Sequence, residues 1–311
     1  MVKSIIINFP TNIGDVILSL PVLDRLRGTY KESKITAIVS VYTRGLLIRN
    51  RNIDEVVLFD KTWNIRQKIR FSLSLKGKYD LVIDLKNSFL PVIIGSRIRT
   101  PFIRMFRKDM HASLRYLSLI KNISSTEEKK GSFILNKQEI EKCESYMLSP
   151  SIFVACSSRS ALKRYPYSNL VSVVEQLKKD FPLVVLGQES DASYYGDILK
   201  MNGVANLVGK TKISDLFYLI DNYARLVLCV DSGILHISSY LNKPIVAIFG
   251  PTSHKVYGPR SDTSVVLRKD NVECAPCEKS QCSFDIKCMK VGPEIVIRTV
   301  RQLLRELEGE E

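Results

Sequence analysis

Residues 226–236 read Leu-Val-Leu-Cys-Val-Asp-Ser-Gly-Ile-Leu-His. The first five form an apolar run of the length and composition that predict a strand. Asp231, Ser232 and Gly233 then begin a helix, where free backbone N–H groups make a cradle for phosphate. His236 lies one helical turn further on and can face the same ligand. This strand–turn–helix unit predicts an α/β protein with an anion site at the end of a strand.

The same unit recurs on both sides of this stretch. Helices are expected between the strands, among them a basic helix over 64–75 and a helix along Val16, Leu20, Leu23 and Leu26. The predicted strands are 3–9, 34–40, 55–59 and 79–84 in the first half and 151–155, 182–186, 226–230 and 244–249 in the second. Strands that alternate with helices indicate parallel sheets. We therefore predict two Rossmann-like, doubly wound domains that face a central cleft.

The boundary between the two domains is expected at the Ser149-Pro150 break. A chain of 311 residues is long for one hydrophobic core and sufficient for two. The predicted domains are residues 1–149 and 150–311, and the last predicted element is a helix over 293–307.

The charge of the chain is concentrated in its first half. The formal net charge is +14, of which residues 1–150 carry +12. A basic domain indicates an acidic partner, either nucleic acid, anionic lipid or a phosphorylated substrate. The alternative is a surface tuned for solubility.

The sequence contains no apolar run of about 20 residues, the length that spans a bilayer. Its first residues are more typical of a strand than of a signal peptide. We therefore expect a cytoplasmic protein.

Ligands of open α/β sheets bind beyond the carboxyl ends of strands. In the first half this position belongs to Thr11, Asn12, Gly14 and Asp15. Asp15 is a candidate site carboxylate, although Asp at the start of a helix is also a common N-cap. The turn lacks the GxGxxG pattern, which disfavours a dinucleotide cofactor.

Two further loops of the second half fall at the same edge. Ser157, Ser158 and Lys163 follow the predicted strand 151–155, where hydroxyls and an ammonium group can clamp a diphosphate. Gly250-Pro-Thr252 follows the predicted strand 244–249. The alternative for these basic residues is an exposed surface loop.

Four of the seven cysteines lie within fifteen residues, at Cys274, Cys277, Cys282 and Cys288. Four thiols at such spacing can bind one tetrahedral ion, such as structural Zn or Fe. Reduced thiols and local disulfides are the alternatives. Cys143, Cys156 and Cys229 are expected in the core.

Taken in order, several of these motifs resemble glycosyltransferase family 9, the bacterial heptosyltransferases of the lipopolysaccharide inner core. The resemblance covers essentially the whole chain, from residue 3 to the C-terminal helix. The segments that carry it are 12–16 with Leu20-Pro21, 163–166, 231–236 and 248–252.

The resemblance implies a GT-B fold whose C-terminal helix crosses back to the N-terminal domain. It further implies an inverting, metal-independent transfer of heptose from ADP-L-glycero-D-manno-heptose to Kdo-lipid A or heptosyl-Kdo-lipid A. Asp15 aligns with the catalytic base of the family, and Thr11, Asn12 and Gly14 lie beside it on the acceptor side. The implied donor-binding residues are Ser157, Ser158, Lys163, Gly187, Asp191, Asp231, Ser232, Gly233 and His236. Among these, Asp191 aligns with a ligand of the nucleotide ribose.

The acceptor implied by the resemblance is anionic, which suits the basic first half. Arg66, Lys68 and Arg70 lie where the family has a basic helix for the phosphorylated acceptor. Residues 97–108 mix Arg with Phe, Ile and Met, as a peripheral contact with the inner face of the membrane would. A basic surface loop is the alternative for that segment.

Three other functions are consistent with parts of these patterns. One is a GT-B transferase that uses another nucleotide-sugar or a protein acceptor. Another is a nucleotide-sugar epimerase, although an epimerase is expected to need several carboxylates and this turn offers only Asp15. The third is a basic nucleic-acid-binding protein, which the absence of a recognition motif disfavours.

Overall fold

The structure, a computed structural model, describes residues 2–101, 106–125, 131–269 and 271–309. The chain forms two compact units, Met1–Ile134 and Leu135–Glu311. Each unit contains one parallel β-sheet with helices packed on it. The predicted α/β class with two sheets is confirmed.

The first unit is a five-stranded sheet in the order β3-β2-β1-β4-β5, and each neighbouring pair of strands is parallel. Its strands are β1 (Ser4–Asn8), β2 (Lys34–Val39), β3 (Glu55–Leu58), β4 (Leu81–Asp84) and β5 (Ile98–Arg99). Its helices are α1 (Ile13–Thr29), α2 (Val41–Leu47), α3 (Ile65–Ser74), α4 (Leu90–Ile94) and α5 (Ala112–Ser118).

The first strand and helix follow the apolar pattern of the sequence. The three central side chains of β1, Ile5, Ile6 and Ile7, are fully buried, as expected for a strand covered on both faces. The apolar positions predicted along α1 are likewise fully buried, and they are Val16, Leu20, Leu23 and Leu26.

The second unit is a six-stranded sheet in the order β11-β10-β9-β6-β7-β8, again with parallel pairs throughout. Its strands are β6 (Ser151–Ala155), β7 (Leu183–Val185), β8 (Val204–Asn206), β9 (Ala224–Val230), β10 (Ile245–Phe249) and β11 (Ser264–Arg268). Its helices are α6 (Lys137–Glu144), α7 (Tyr167–Leu177), α8 (Ala192–Tyr195), α9 (Ile213–Tyr223), α10 (Gly233–Tyr240), α11 (His254–Tyr257) and α12 (Pro293–Glu308).

The strand order of each sheet reverses once. In the second sheet the chain runs outward through β6, β7 and β8 and then returns to place β9 on the other side of β6. In the first sheet the reversal lies between β1 and β4. Loops leaving the two strands at a reversal point diverge and leave a crevice, which is where ligands of such sheets bind.

The boundary between the units lies at residues 134 and 135, earlier than the break at Ser149-Pro150 predicts. Helix α6 accounts for the difference because it packs on α9 of the second unit. Lys142 of α6 forms an ion pair of 2.8 Å with the buried carboxylate of Asp215 at the start of α9. The Ser-Pro pair therefore separates α6 from β6 within one unit.

Helix α12 ends the second unit. Pro293 occupies its first turn, and Gly309 ends it with a left-handed backbone (φ 75°). Its buried side chains, among them Val296, Val300 and Leu304, belong to the core of the second sheet. The predicted helix is confirmed, and its crossing back to the N-terminal domain stays a prediction.

Within the described residues, no helix is both long and apolar enough to cross a membrane. Of the segment 97–108, residues 102–105 lie outside the described residues. The membrane contact expected there stays a prediction.

Candidate active site

An ion pair lies at the point where the strand order of the second sheet reverses. Lys163 Nζ, from the loop after β6, lies 2.7 Å from Asp231 Oδ2, directly after β9. Asp231 is buried, and His236 Nε2 lies 3.8 Å from its other carboxylate oxygen. The structure thus brings together three of the residues that the sequence singles out.

Helix α10 presents its first turn beside this ion pair. Ser232 is its N-cap residue in extended conformation, and its hydroxyl does not cap the helix. Ser232 Oγ is buried and has no hydrogen-bond partner among the described residues. A Cβ built on Gly233 would meet nothing within 4 Å. The helix start therefore faces open space, and its backbone N–H groups and one hydroxyl can bind an anion there.

Thr252, in the loop after β10, repeats this feature. Its hydroxyl Oγ1 is buried and, within the described part of the chain, also lacks a hydrogen-bond partner. A buried hydroxyl without a partner costs about 1–3 kcal/mol of stability, and a bound ligand that pairs with it recovers that energy. Because parallel strands end at one edge of the sheet, Ser232 and Thr252 lie at the same edge.

The cysteine-rich segment braces the loop that carries Thr252. The backbone N–H groups of Cys277 and Glu278 both donate to the carbonyl of Pro251, at 3.0 and 2.8 Å. A Cβ on Gly250 would lie 2.5 Å from Met289 Sδ and 2.9 Å from Cys288 Sγ. Gly250 therefore allows the segment to pack directly beneath the loop.

The four cysteines of the segment line one cavity of about 330 Å³. All are free thiols, and no group of three or more His, Cys, Asp or Glu in the described ranges is placed to hold a metal ion. Metal binding by these four thiols stays a prediction. Cys288 is buried, which raises the pKa of its thiol, and its side chain belongs to the core.

Arg164 is a residue of this site that the sequence pattern does not distinguish from other basic loop residues. Its guanidinium donates to the carbonyl of Ser158 at 2.9 Å and lies 3.6 Å from Asp191 Oδ1. It also covers the ring of Tyr194, 5.5 Å from the centroid. Arg164 therefore ties the loop after β6 to the loop after β7.

The loop after β7 is tightly packed. A Cβ on Gly187 would lie 3.1 Å from the Tyr195 ring and 3.2 Å from the Asp191 side chain. Asp191 is buried, and its Oδ2 accepts from the backbone N–H of Gln188 at 2.8 Å. Both carboxylate oxygens thus have protein partners, and the role of Asp191 at a ribose stays a prediction.

Ser157 and Ser158 follow β6 directly. The Ser157 N–H donates to the hydroxyl of the buried Tyr195 at 3.2 Å. That hydroxyl donates in turn to the carbonyl of Leu186. Tyr195 therefore holds the backbone of the loop after β6, the predicted diphosphate loop, in place.

In the first unit, Asp15 lies in the first turn of α1. The N-cap of this helix is Asn12, so the alternative that Asp15 itself is the N-cap is wrong. Asn12 Nδ2 donates to Asp15 Oδ2 at 3.1 Å, and the Asp15 side chain is half-buried. Thr11 and Gly14 lie beside it in the same turn, after the carboxyl end of β1.

The reversal point of the first sheet contains polar residues that the sequence analysis missed. Asn8 Nδ2 donates to the fully buried carboxylate of Asp84 at 2.7 Å, and Asp84 also accepts from the Ser88 N–H. Lys86 is half-buried there, with Nζ 5.3 Å from the centroid of the Phe59 ring. Burial lowers the pKa of its ammonium group, partly offset by the attraction of Asp84. The signal in the sequence is that β4 ends in Asp84 and that Lys86 follows two residues later.

The predicted basic helix is α3, and its three cations do not share one face. Arg66 and Arg70 lie on successive turns and are exposed. Lys68 is half-buried on the side that faces the core. Only the two arginines are therefore presented together to solvent.

Comparison with known proteins identifies the family of the chain. The profile of glycosyltransferase family 9 (heptosyltransferase) matches residues 68–287, more than half of the chain. The chain therefore belongs to glycosyltransferase family 9, and it is an enzyme of the heptosyltransferase class. This assignment favours the transferase over the epimerase and nucleic-acid alternatives.

Relatives and solved structures match over nearly the whole length. The lipooligosaccharide heptosyltransferase 2 of Campylobacter jejuni (serotype O:6) is 27% identical, covering 96% of this chain and 98% of the relative. A family 9 glycosyl transferase from Veillonella parvula has a TM-score of 0.81 at 24% identity, covering 98% and 97%. The E. coli ADP-heptose lipopolysaccharide heptosyltransferase II has a TM-score of 0.78 at 22% identity, covering 98% and 100%. These structures confirm the GT-B type of fold.

The cysteine segment yields a testable prediction. Cys274, Cys277 and Cys282 are at least partly exposed, whereas the other four thiols are buried. Burial raises the pKa of Cys143 to about 11 and that of Cys156 to about 12, so few of these thiols are ionised near neutral pH. We expect a chromogenic thiol reagent to titrate three thiols rapidly in the native protein, and two in Cys277→Ser. Reaction that requires prior chelation would indicate a bound metal instead, and reaction that requires a reductant would indicate disulfides.

Proposed function

We propose that this enzyme transfers heptose from ADP-L-glycero-D-manno-heptose to an inner-core lipopolysaccharide acceptor with inversion at the anomeric carbon. The observation that carries the proposal is the edge of the second sheet. There Lys163, the start of α10 and two buried hydroxyls that lack partners among the described residues offer positive charge and hydrogen bonds to one anion. The names of the relatives support the donor and the acceptor class.

The donor diphosphate is proposed to bind between the loops after β6 and β9. Lys163 Nζ and the N–H groups at the start of α10 supply the positive potential. Ser232 and Thr252 hydroxyls, which lack partners in the described structure, donate to phosphate or sugar oxygens. Ser157, Ser158, Gly187, Asp191, Gly233 and His236 line or position this donor site in the proposal.

The chemical step is a single displacement. The acceptor hydroxyl oxygen forms a bond to the anomeric carbon of the heptose, and the bond from that carbon to the β-phosphate oxygen breaks. The hydroxyl proton passes to the carboxylate of Asp15, and ADP leaves with the electron pair. Lys163 and the α10 N-terminus stabilise the charge on ADP, so that no metal ion is required in this proposal.

The acceptor is proposed to bind the first unit, with Thr11, Asn12 and Gly14 beside the catalytic carboxylate. The excess of positive charge in the first half of the sequence suits the phosphates and carboxylates of a Kdo-lipid A acceptor. Arg66 and Arg70 are the exposed cations proposed to bind these groups, and the half-buried Lys68 contributes at longer range. Reaction at the membrane places the enzyme on the cytoplasmic side of the inner membrane.

Replacement of Asp15 tests the base directly. We expect Asp15→Asn to lower kcat for ADP release by about 10²–10⁴-fold, with little change in the KM for ADP-heptose. The assay compares Kdo-lipid A with heptosyl-Kdo-lipid A, which also identifies the acceptor. A variant with a lower Tm and near-normal kcat would show that Asp15 only stabilises the start of α1.

Replacement of Thr252 tests the donor site, because it is expected to raise stability and to lower affinity for the donor. Thr252→Val removes a buried hydroxyl that has no hydrogen-bond partner in the described part of the chain, so we expect a gain in stability of up to about 1 kcal/mol. The same change is expected to weaken binding of ADP-heptose about tenfold, measured by calorimetry.

The matched control is Ser238→Ala, because Ser238 Oγ is buried but already donates to the carbonyl of Ile234 at 2.8 Å. This control is expected to lose stability and to keep its donor affinity. Unchanged donor affinity in Thr252→Val would contradict the proposed position of the donor.

A further inference from the structure

Helices α3 and α4 cover one face of the first sheet and pack on each other. Beneath them lies a small core that includes Ile6, Val82 and Leu75 with Leu90 and Ile94 of α4. This core accounts for the inward sides of the two helices. Their outward sides carry large apolar side chains that remain about half exposed or more.

Five large apolar side chains project outward from this layer. On α3, Ile65, Ile69 and Leu73 are 71%, 49% and 53% exposed. Their spacing of four residues places them in one stripe along the helix. At the start of α4, Phe89 and Val92 are 66% and 51% exposed. We name these five residues the α3–α4 patch.

The surroundings of the patch are strongly basic. Residues 61–79 contain six Lys and Arg and no Asp or Glu. Residues 80–101 contain three more Lys and Arg and two acidic residues: Asp80, which accepts from the N–H groups of Lys3 and Ser4, and the fully buried Asp84. Arg66 and Arg70 lie next to the apolar stripe on the exposed side of α3. The surface that complements this patch is therefore apolar in part and anionic.

We infer that the α3–α4 patch docks on the surface of an anionic phospholipid bilayer. An apolar stripe with arginines beside it and no acidic residue is typical of helices that lie in the membrane interface. The apolar side chains enter the boundary between headgroups and acyl chains, and the arginines pair with headgroup phosphates. Helix α3, about 15 Å long at 1.5 Å per residue, lies parallel to the membrane surface.

This inference rests on the proposed position of the enzyme at the inner membrane, with Arg66 and Arg70 serving both lipid headgroups and the acceptor, and it is tested separately from catalysis. Binding to vesicles needs neither ADP-heptose nor an acceptor. The apolar residues of the patch have no role in the proposed chemistry. A protein without transferase activity could still bind vesicles, and an active transferase could fail to bind them.

The experiment is sedimentation of the full-length protein with vesicles of phosphatidylcholine that contain about one part in three of phosphatidylglycerol. We expect the wild type to bind these vesicles and to bind pure phosphatidylcholine at least tenfold more weakly. The double variant Ile69→Ser, Leu73→Ser is expected to lower the affinity for anionic vesicles about tenfold or more, because it removes two apolar side chains that become buried on binding. Circular dichroism and Tm show whether this variant is folded.

Two control variants match the changes in chemistry. Ile295→Ser with Leu307→Ser removes exposed apolar side chains from α12, and its vesicle affinity is expected to equal that of the wild type. The double variant Arg66→Gln, Arg70→Gln is expected to bind anionic vesicles about tenfold more weakly than the wild type. Its vesicle affinity is also expected to depend less on salt concentration. Its control, Lys137→Gln with Lys200→Gln, removes two highly exposed cations of the second unit.

Several results would overturn the inference. One is failure of the wild type to bind anionic vesicles, which would leave the patch as a surface for a protein partner. Equal binding by the folded Ile69→Ser, Leu73→Ser variant would exclude the patch as the docking site. An equal loss of vesicle affinity in the α12 control would show that binding does not depend on the α3–α4 patch.

Discussion

The ion pair between Lys163 and Asp231 is the interaction on which the donor site depends. It joins the loops after β6 and β9 at the point where the strand order of the second sheet reverses. Burial makes a lone carboxylate costly, so Asp231 needs its partner in place. Before the donor binds, the ion pair with Asp231 keeps the Lys163 ammonium group in position. A bound diphosphate can then compete with Asp231 for that ammonium group.

The loops after β6, β7 and β10 are held in place by contacts within the protein. Arg164 ties the loop after β6 to Asp191, and the cysteine-rich segment supports Pro251 from below. The Ser232 and Thr252 hydroxyls are buried and have no hydrogen-bond partner among the described residues, a cost that a stable scaffold can tolerate. A site prepared in this way loses little further freedom when it binds a ligand.

The central strands could be predicted from the sequence because they are continuous apolar runs that end in Gly, Asp or Ser. The edge strands β5, β8 and β11 were missed, since β5 has two exposed residues and β8 has three half-buried ones. The compact second unit begins at Leu135, before the Ser149-Pro150 break, because α6 packs on α9 and its Lys142 pairs with Asp215. Arg164 looked like any basic loop residue, because its importance arises from two contacts distant in sequence.

Calorimetric titration of the nucleotide is the most direct test of the donor site. ADP and adenosine are titrated into the wild type and into Lys163→Met, which keeps the length of the side chain and removes its charge. We predict that the variant binds ADP about tenfold or more weakly, since a charged hydrogen bond to phosphate is lost, whereas its affinity for adenosine is unchanged. Equal affinity of the two proteins for ADP would contradict the placement of the diphosphate beside Lys163 and Asp231.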